Sequence, residues 1–123
     1  MRKTSSANYE NEQSIVSDCP ITSTFRAVGG RWKLVIIWHL RRGALRYGML
    51  KKAIPRVSEK MLTQQLKALT RDGWIARNDF GELPPRTEYQ LTQRGKSFIP
   101  ILEQVYDWGI EHGIAINADD GID

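Results

Sequence analysis

The chain of 123 residues has one cysteine, Cys19. An intramolecular disulfide is impossible, which excludes a disulfide scaffold. His39 and His112 are its two histidines, and a metal site would need a ligand cluster that so few His and Cys do not supply. No apolar run approaches the roughly 18 residues of a membrane span. The segment Met1 to Asp18 is polar and lacks the apolar core of a signal peptide. No Gly-rich phosphate loop is present, since Gly29-Gly30 fits neither a dinucleotide nor a P-loop pattern. Ser, Cys and His occur without a recognisable nucleophile arrangement. These absences predict a cytoplasmic protein with no membrane attachment, no catalysis, no metal and no cofactor.

Acidic residues are scarce in one segment. Net charge is +4 and the sequence pI about 9.4, values that many proteins with no polyanion partner share. The distribution says more. From Arg46 to Arg71 the basic residues are Arg46, Lys51, Lys52, Arg56, Lys60, Lys67 and Arg71, against the single acid Glu59. Asp119, Asp120 and Asp123 lie in the tail. A length of 123 residues and 41% apolar content suit one modest core, of a size often stabilised by dimerisation.

Along the chain, residues 1–18 read as a disordered arm, 19–113 as one ordered domain and 114–123 as a flexible acidic tail. Pro20 suits a first helical position, with Cys19 as N-cap, and Gly29-Gly30 stops that helix. Trp32, Val35, Ile36, His39 and Leu40 form an apolar stripe on a second helix over 31–42, ended by Gly43. Residues 44–47 read as a connector or short strand. A third helix covers 48–54, and Pro55 ends it. Ser58 is a good N-cap for a fourth, which stops at Asp72-Gly73. Residues 74–78 and 87–91 are β-branched and aromatic runs around a loop holding Gly81, Pro84 and Pro85, which predicts a hairpin. Thr92 caps a last helix through about His112, in which Pro100 is expected to kink the axis or break its hydrogen bonding. The aromatics Trp32, Trp38, Trp74, Tyr106 and Trp108 read as core or interface.

The fold class that follows is α+β: a mainly helical winged helix-turn-helix with a two-stranded wing. That order places one helix in a DNA major groove and the wing on flanking backbone. At about 100° per residue, Leu62, Leu66 and Leu69 share one arc of the fourth helix. Lys60, Gln64, Lys67 and Arg71 lie opposite, flanked by Thr63. Cations suit phosphates, Gln can pair with an adenine edge, and Lys or Arg with a guanine edge. Ser58, Lys60, Thr63 and Gln64, nearest the helix start, are the candidates for base contacts. Lys67, Arg71, Arg46 and Lys51 complete the basic set. Arg77 and Arg86 stand near the ends of the hairpin loop, where a cation reaches phosphate or a narrow minor groove; for Arg86 the competing reading is a salt bridge with Glu82 or Glu88. A winged-helix module for protein contacts is the alternative function, and the basic outward face of the fourth helix weighs against it.

These segments resemble the HxlR-type winged-helix transcriptional regulators, relatives of the MarR group. The matching pieces are Cys19-Pro20, Gly29-Gly30-Arg31-Trp32-Lys33, 34–40, Ile54-Pro55, 58–66 from Ser58 to Leu66, Asp72-Gly73, 84–89 from Pro84 to Tyr89, and 91–95 from Leu91 to Gly95. Thr87 stands where an apolar residue is usual, and Trp74 where an aliphatic is usual. The resemblance implies a homodimer that binds a pseudo-palindromic operator in double-stranded DNA. It also implies that the terminal helices build the dimer interface, here through Phe25, Phe98, Ile101, Leu102, Val105 and Trp108. Some members sense oxidants or electrophiles through a cysteine at the Cys19 position. A thiol at a helix N-terminus has its thiolate stabilised by the dipole and free N–H groups. The competing reading is a buried cysteine that packs, in a regulator responding to a small molecule at the interface, with Trp108 lining the pocket.

Overall fold

The computed structural model describes residues 19–81 and 83–114. The expected arm over 1–18 and all but the first residue of the expected tail lie outside the described residues. The chain divides into two compact units, Met1–Gly30 and Arg31–Asp123.

In the first unit, α1 spans Pro20–Ala27. Proline at its first position has no N–H to leave unsatisfied and a φ already suited to a helix. Cys19 occupies the N-cap with extended backbone angles, and its carbonyl accepts the Ser23 N–H at 2.8 Å. Ile21 and Phe25, one turn apart, are both exposed.

The second unit holds α2 (Lys33–His39), which continues as a 3-10 turn (Leu40–Arg42). Then come β1 (Leu45–Arg46), α3 (Tyr47–Ala53), α4 (Glu59–Arg71), β2 (Ile75–Asp79), β3 (Thr87–Leu91) and α5 (Gln93–Glu111). The strands form one antiparallel sheet in the order β1-β3-β2. The hairpin expected from sequence is there, and a third strand joins it. Leu45 and Arg46 pair with Tyr89 and Glu88; two residues are too short for periodicity to identify. The pairing sends the chain from the sheet edge directly into α3.

The core is aliphatic. Val35, Ile36, Ile37, Trp38 and Leu40 from α2 and its extension meet Leu50 of α3 and Leu62, Leu66 and Leu69 of α4. Ile54 and Val57 close the turn between α3 and α4, and Ile75, Leu91 and Leu102 come from the sheet and α5. Trp38 stacks on Tyr106 of α5 with centroids 5.3 Å apart. Trp74 is buried against Phe98 at 5.5 Å. It fills a core position with an aromatic, where the resemblance leads one to expect an aliphatic.

The junction of α4, β2 and α5 is tightly constrained. Gly73, at φ +84°, takes the left-handed turn after α4 at no Cβ cost. The Thr92 hydroxyl donates to the Gly73 carbonyl at 2.6 Å and accepts the Gly95 N–H at 3.2 Å, which caps α5. Arg94 donates to the Asp72 carbonyl at 2.9 Å. A Cβ on Gly95 would collide with the Trp74 carbonyl and crowd the Leu91 side chain. Pro100 does not end α5, which runs unbroken over 19 residues. The missing N–H removes one hydrogen bond of the ladder, and the packed helix continues past it.

Candidate nucleic-acid interface

The recognition-type helix is α4. The Ser58 hydroxyl accepts the Met61 N–H at 3.0 Å, satisfying one of the donors a helix start leaves open. The Tyr47 hydroxyl donates to the Glu59 carbonyl at 3.4 Å, and the Lys51 ammonium to the Pro55 carbonyl at 3.2 Å. Both bonds tie α3 to the turn and to the start of α4. Leu62, Leu66 and Leu69 anchor the inner face, and Lys60, Thr63, Gln64, Lys67 and Arg71 are exposed on the outer one. The helical wheel had assigned these faces.

A groove of about 430 Å³ runs between the second half of α4 and the wing. Thr63, Lys67, Thr70 and Arg71 line the helix side, Arg77 and Tyr89 the strand side, and Leu66 lies at its floor. The structure thus brings four sequence candidates, Thr63, Lys67, Arg71 and Arg77, to one place. Tyr89 and Thr70 escaped sequence reasoning. The signal for Tyr89 was strand register: it lies directly opposite Arg77 in the β2–β3 ladder.

The groove cations differ in their ties. Arg71 forms a two-bond ion pair with Asp72, at 2.9 and 3.3 Å. That hydrogen bond holds the Asp72 carboxyl below its ordinary value, and the charges of Arg71, Lys33 and Arg94 add to the effect against an opposing desolvation. The same bond raises Arg71 further. The pair is exposed, so its net worth is small and a phosphate can compete for the guanidinium. Arg77 lies 3.3 Å from Asp79, and both remain more than half exposed. Lys67 carries no ion pair among the described residues.

Outside the groove, Lys60, Gln64 and Ser58 occupy the first half of α4, and Arg46 is exposed on β1. Arg86 departs from expectation. Its guanidinium lies 4.0 Å over the Phe80 ring and 3.9 Å from Glu88, and it is only partly exposed. It braces the loop end of the wing, as the salt-bridge reading required. The Thr87 hydroxyl donates to Asp79 at 2.6 Å across the same ladder; a polar residue at that position is accommodated by a cross-strand bond.

The chain matches the HxlR-like helix-turn-helix family over residues 27–116. It belongs to that family. The HxlR-type chain is 38% identical over 91 residues to the helix-turn-helix-type transcriptional regulator YdeP of Bacillus subtilis, covering 74% of this chain and 71% of YdeP. Among solved structures it is similar to a transcriptional regulator of Porphyromonas gingivalis W83 assigned to the MarR family, with TM-score 0.73, 41% identity and coverage of 76% and 92%. It is also similar to the redox regulator HypR in its reduced form, with TM-score 0.75, 32% identity and coverage of 78% and 95%. The fold is accordingly that of a MarR-like winged-helix transcriptional regulator.

Two further placements concern this HxlR-type chain. Cys19 makes no formal capping hydrogen bond. The Thr22 hydroxyl first, and then the Thr22 and Ile21 N–H groups, nevertheless lower its thiol below the ordinary value. Of the residues assigned to a dimer interface, Phe25, Ile101, Val105 and Trp108 are exposed. Leu102 is instead buried in the core, and Phe98 is half-buried on Trp74. Among the described residues no cluster of His, Cys, Asp and Glu could hold a metal, and no helix is long and apolar enough to cross a membrane.

Proposed function

We propose that the protein is a homodimeric regulator that binds a pseudo-palindromic operator through α4 and the β2–β3 wing, with Cys19 as an oxidant or electrophile sensor. The groove that joins Thr63, Lys67 and Arg71 to Arg77 carries the DNA reading. Its exposed cations stand on two elements that a duplex backbone would span, while Lys60 and Gln64 lie further toward the N-terminus of α4 for base edges. Lys67 and Arg71 take phosphates. Arg46 and Lys51 add charge beside α4, and Arg77 contacts the flanking backbone.

Exposed Ile101, Val105 and Trp108 recur every three or four residues on α5 and form an apolar stripe of the kind a partner helix covers. Ile21 and Phe25 on α1 form a shorter one. These faces are assigned to the homodimer. The lowered Cys19 thiol favours thiolate, the reactive form, and the similarity to HypR supports a redox role. Oxidation then yields a sulfenic acid, a mixed disulfide or a Cys19–Cys19 bridge between protomers.

A gel shift on the DNA upstream of its own gene, with and without diamide, tests both parts. Specific binding lost on oxidation in the wild type and kept in Cys19→Ser is the expected result. An equal response of both proteins removes the sensor and leaves a small-molecule effector. Absence of any selected site in a genome-wide binding selection overturns the DNA reading.

A further inference from the structure

A second cleft, of about 240 Å³, lies between the 3-10 turn after α2, the end of β3 and the first turn of α5. Consecutive strand residues face opposite sides. Tyr89 lines the DNA-facing groove and Gln90 lines this cleft, so the two flank β3 from opposite faces. Leu40 and Leu91, both buried, form its apolar floor. Arg41, Arg42 and Lys96 bring three cations to it, and no carboxylate among the described residues lines it.

The cations are unequal. Arg41 is fixed, its guanidinium 4.0 Å over the Trp38 ring and bonded to the Trp38 carbonyl at 2.9 Å. The Arg42 and Lys96 side chains are exposed and make no ion pair or hydrogen bond among the described residues. One immobile cation, two available ones, an amide from Gln90 and an apolar floor form a complementary set for one kind of molecule. The cleft is smaller than a drug-sized pocket and presents more polar than apolar surface, so what it offers a ligand is mainly charge. We propose that the cleft binds a small organic anion, a carboxylate or a phosphate monoester, with Arg42 and Lys96 as its principal charge partners.

Isothermal titration of the full chain at constant ionic strength tests this, with citrate and glucose 6-phosphate as probes and glucose as the uncharged control. The wild type is expected to bind at least one anion and not glucose. The two anions tell carboxylate from phosphate chemistry. The double variant Arg42→Ala/Lys96→Ala, with both changes at exposed positions and folding verified by its melting curve, should bind at least tenfold more weakly. Lys67→Ala should bind as the wild type does. The proposal is overturned by absence of anion binding in the wild type, by equal binding in the double variant, or by loss in Lys67→Ala, which would move the anion to the other groove. It is also overturned if the double variant weakens DNA binding with no anion present, because the cleft would then hold a backbone phosphate. Calorimetry needs no DNA, so its result stands whether or not the DNA reading holds.

Discussion

Gln64 and Lys67 are neighbours on the exposed face of α4, yet they offer DNA different chemistry. An amide presents a donor and an acceptor in one plane, the pair that an adenine edge matches, whereas an ammonium is a point charge that any phosphate satisfies. Gln64→Ala is expected to cost about 1–3 kcal/mol on the operator and to relax preference at one base pair. Lys67→Ala should weaken binding to all sequences and reduce the slope of log K against log salt by about one. Fluorescence-anisotropy titrations on operator and random duplexes over a salt series separate the two. Equal losses on both duplexes for Gln64→Ala would show that it contacts backbone. Cys19 makes a prediction of a different kind. The Thr22 hydroxyl and the N–H groups of Thr22 and Ile21 favour its thiolate, so the group loses its proton at lower pH than an ordinary thiol. Alkylation rate should rise with pH and reach half-maximum below the ordinary thiol value. Thr22→Val removes the hydroxyl, the leading cause, and should move the midpoint upward. A stopped-flow rate profile with iodoacetamide measures both, and coincident midpoints would refute the assignment.

At the scale of elements, the winged helix-turn-helix was legible wherever a local rule and burial agreed. The leucine arc of α4, the Ser58 and Thr92 caps and the Asp72-Gly73 stop each follow from the chemistry of a few adjacent residues, and the structure places each as expected. Three features were legible only in part, because contacts within the folded chain decide between the readings the sequence allows. Residues 44–47 read as a connector or a short strand, and pairing with β3 decides for the strand. Arg86 reads as a DNA contact or an ion-pair partner, and Glu88 two residues on in β3, with the Phe80 ring across the loop, decides for the pair. The helix through Pro100 is expected with a kink or a broken hydrogen bond, and the Trp38–Tyr106 and Trp74–Phe98 contacts on either side hold it as one element. Gly95 shows the same dependence. In the sequence it is a glycine near a helix start; in the fold it admits the Trp74 carbonyl, leaving no room for a Cβ. Gly95→Ala would ordinarily favour a helix, but here it must push α5 from the sheet. Overpacking of this kind costs about 1–3 kcal/mol. A drop in melting temperature is expected, and a melting temperature equal to or above that of the wild type would mean the junction yields without strain.

The whole molecule is decided by what covers α5. Ile101, Val105 and Trp108 are 53%, 55% and 56% exposed, whereas Leu102 of the same helix is buried. One face of α5 therefore belongs to the core and the next is apolar and exposed, with the His112 ring stacked on Trp108 at its C-terminal end, centroids 4.2 Å apart. If two copies meet there about a two-fold axis, each residue of the patch meets its counterpart, and the two α4 helices become a fixed pair. A fixed pair reads two half-sites about 34 Å apart, one turn of the duplex, and the operator inherits the two-fold symmetry. Val105→Glu places two carboxylates at the centre of that face, where desolvation and mutual repulsion oppose association. The variant leaves every core contact intact because Val105 is not part of the core. It should elute as a folded monomer in size-exclusion chromatography with light scattering. Its operator affinity should fall by orders of magnitude, while weak, salt-sensitive binding to random DNA persists, because each monomer retains its own α4. A dimer of unchanged stability in Val105→Glu would place the interface elsewhere. A monomer with undiminished operator affinity would show that one α4 helix reads the site alone, and the predicted symmetry of the operator would fall with the dimer.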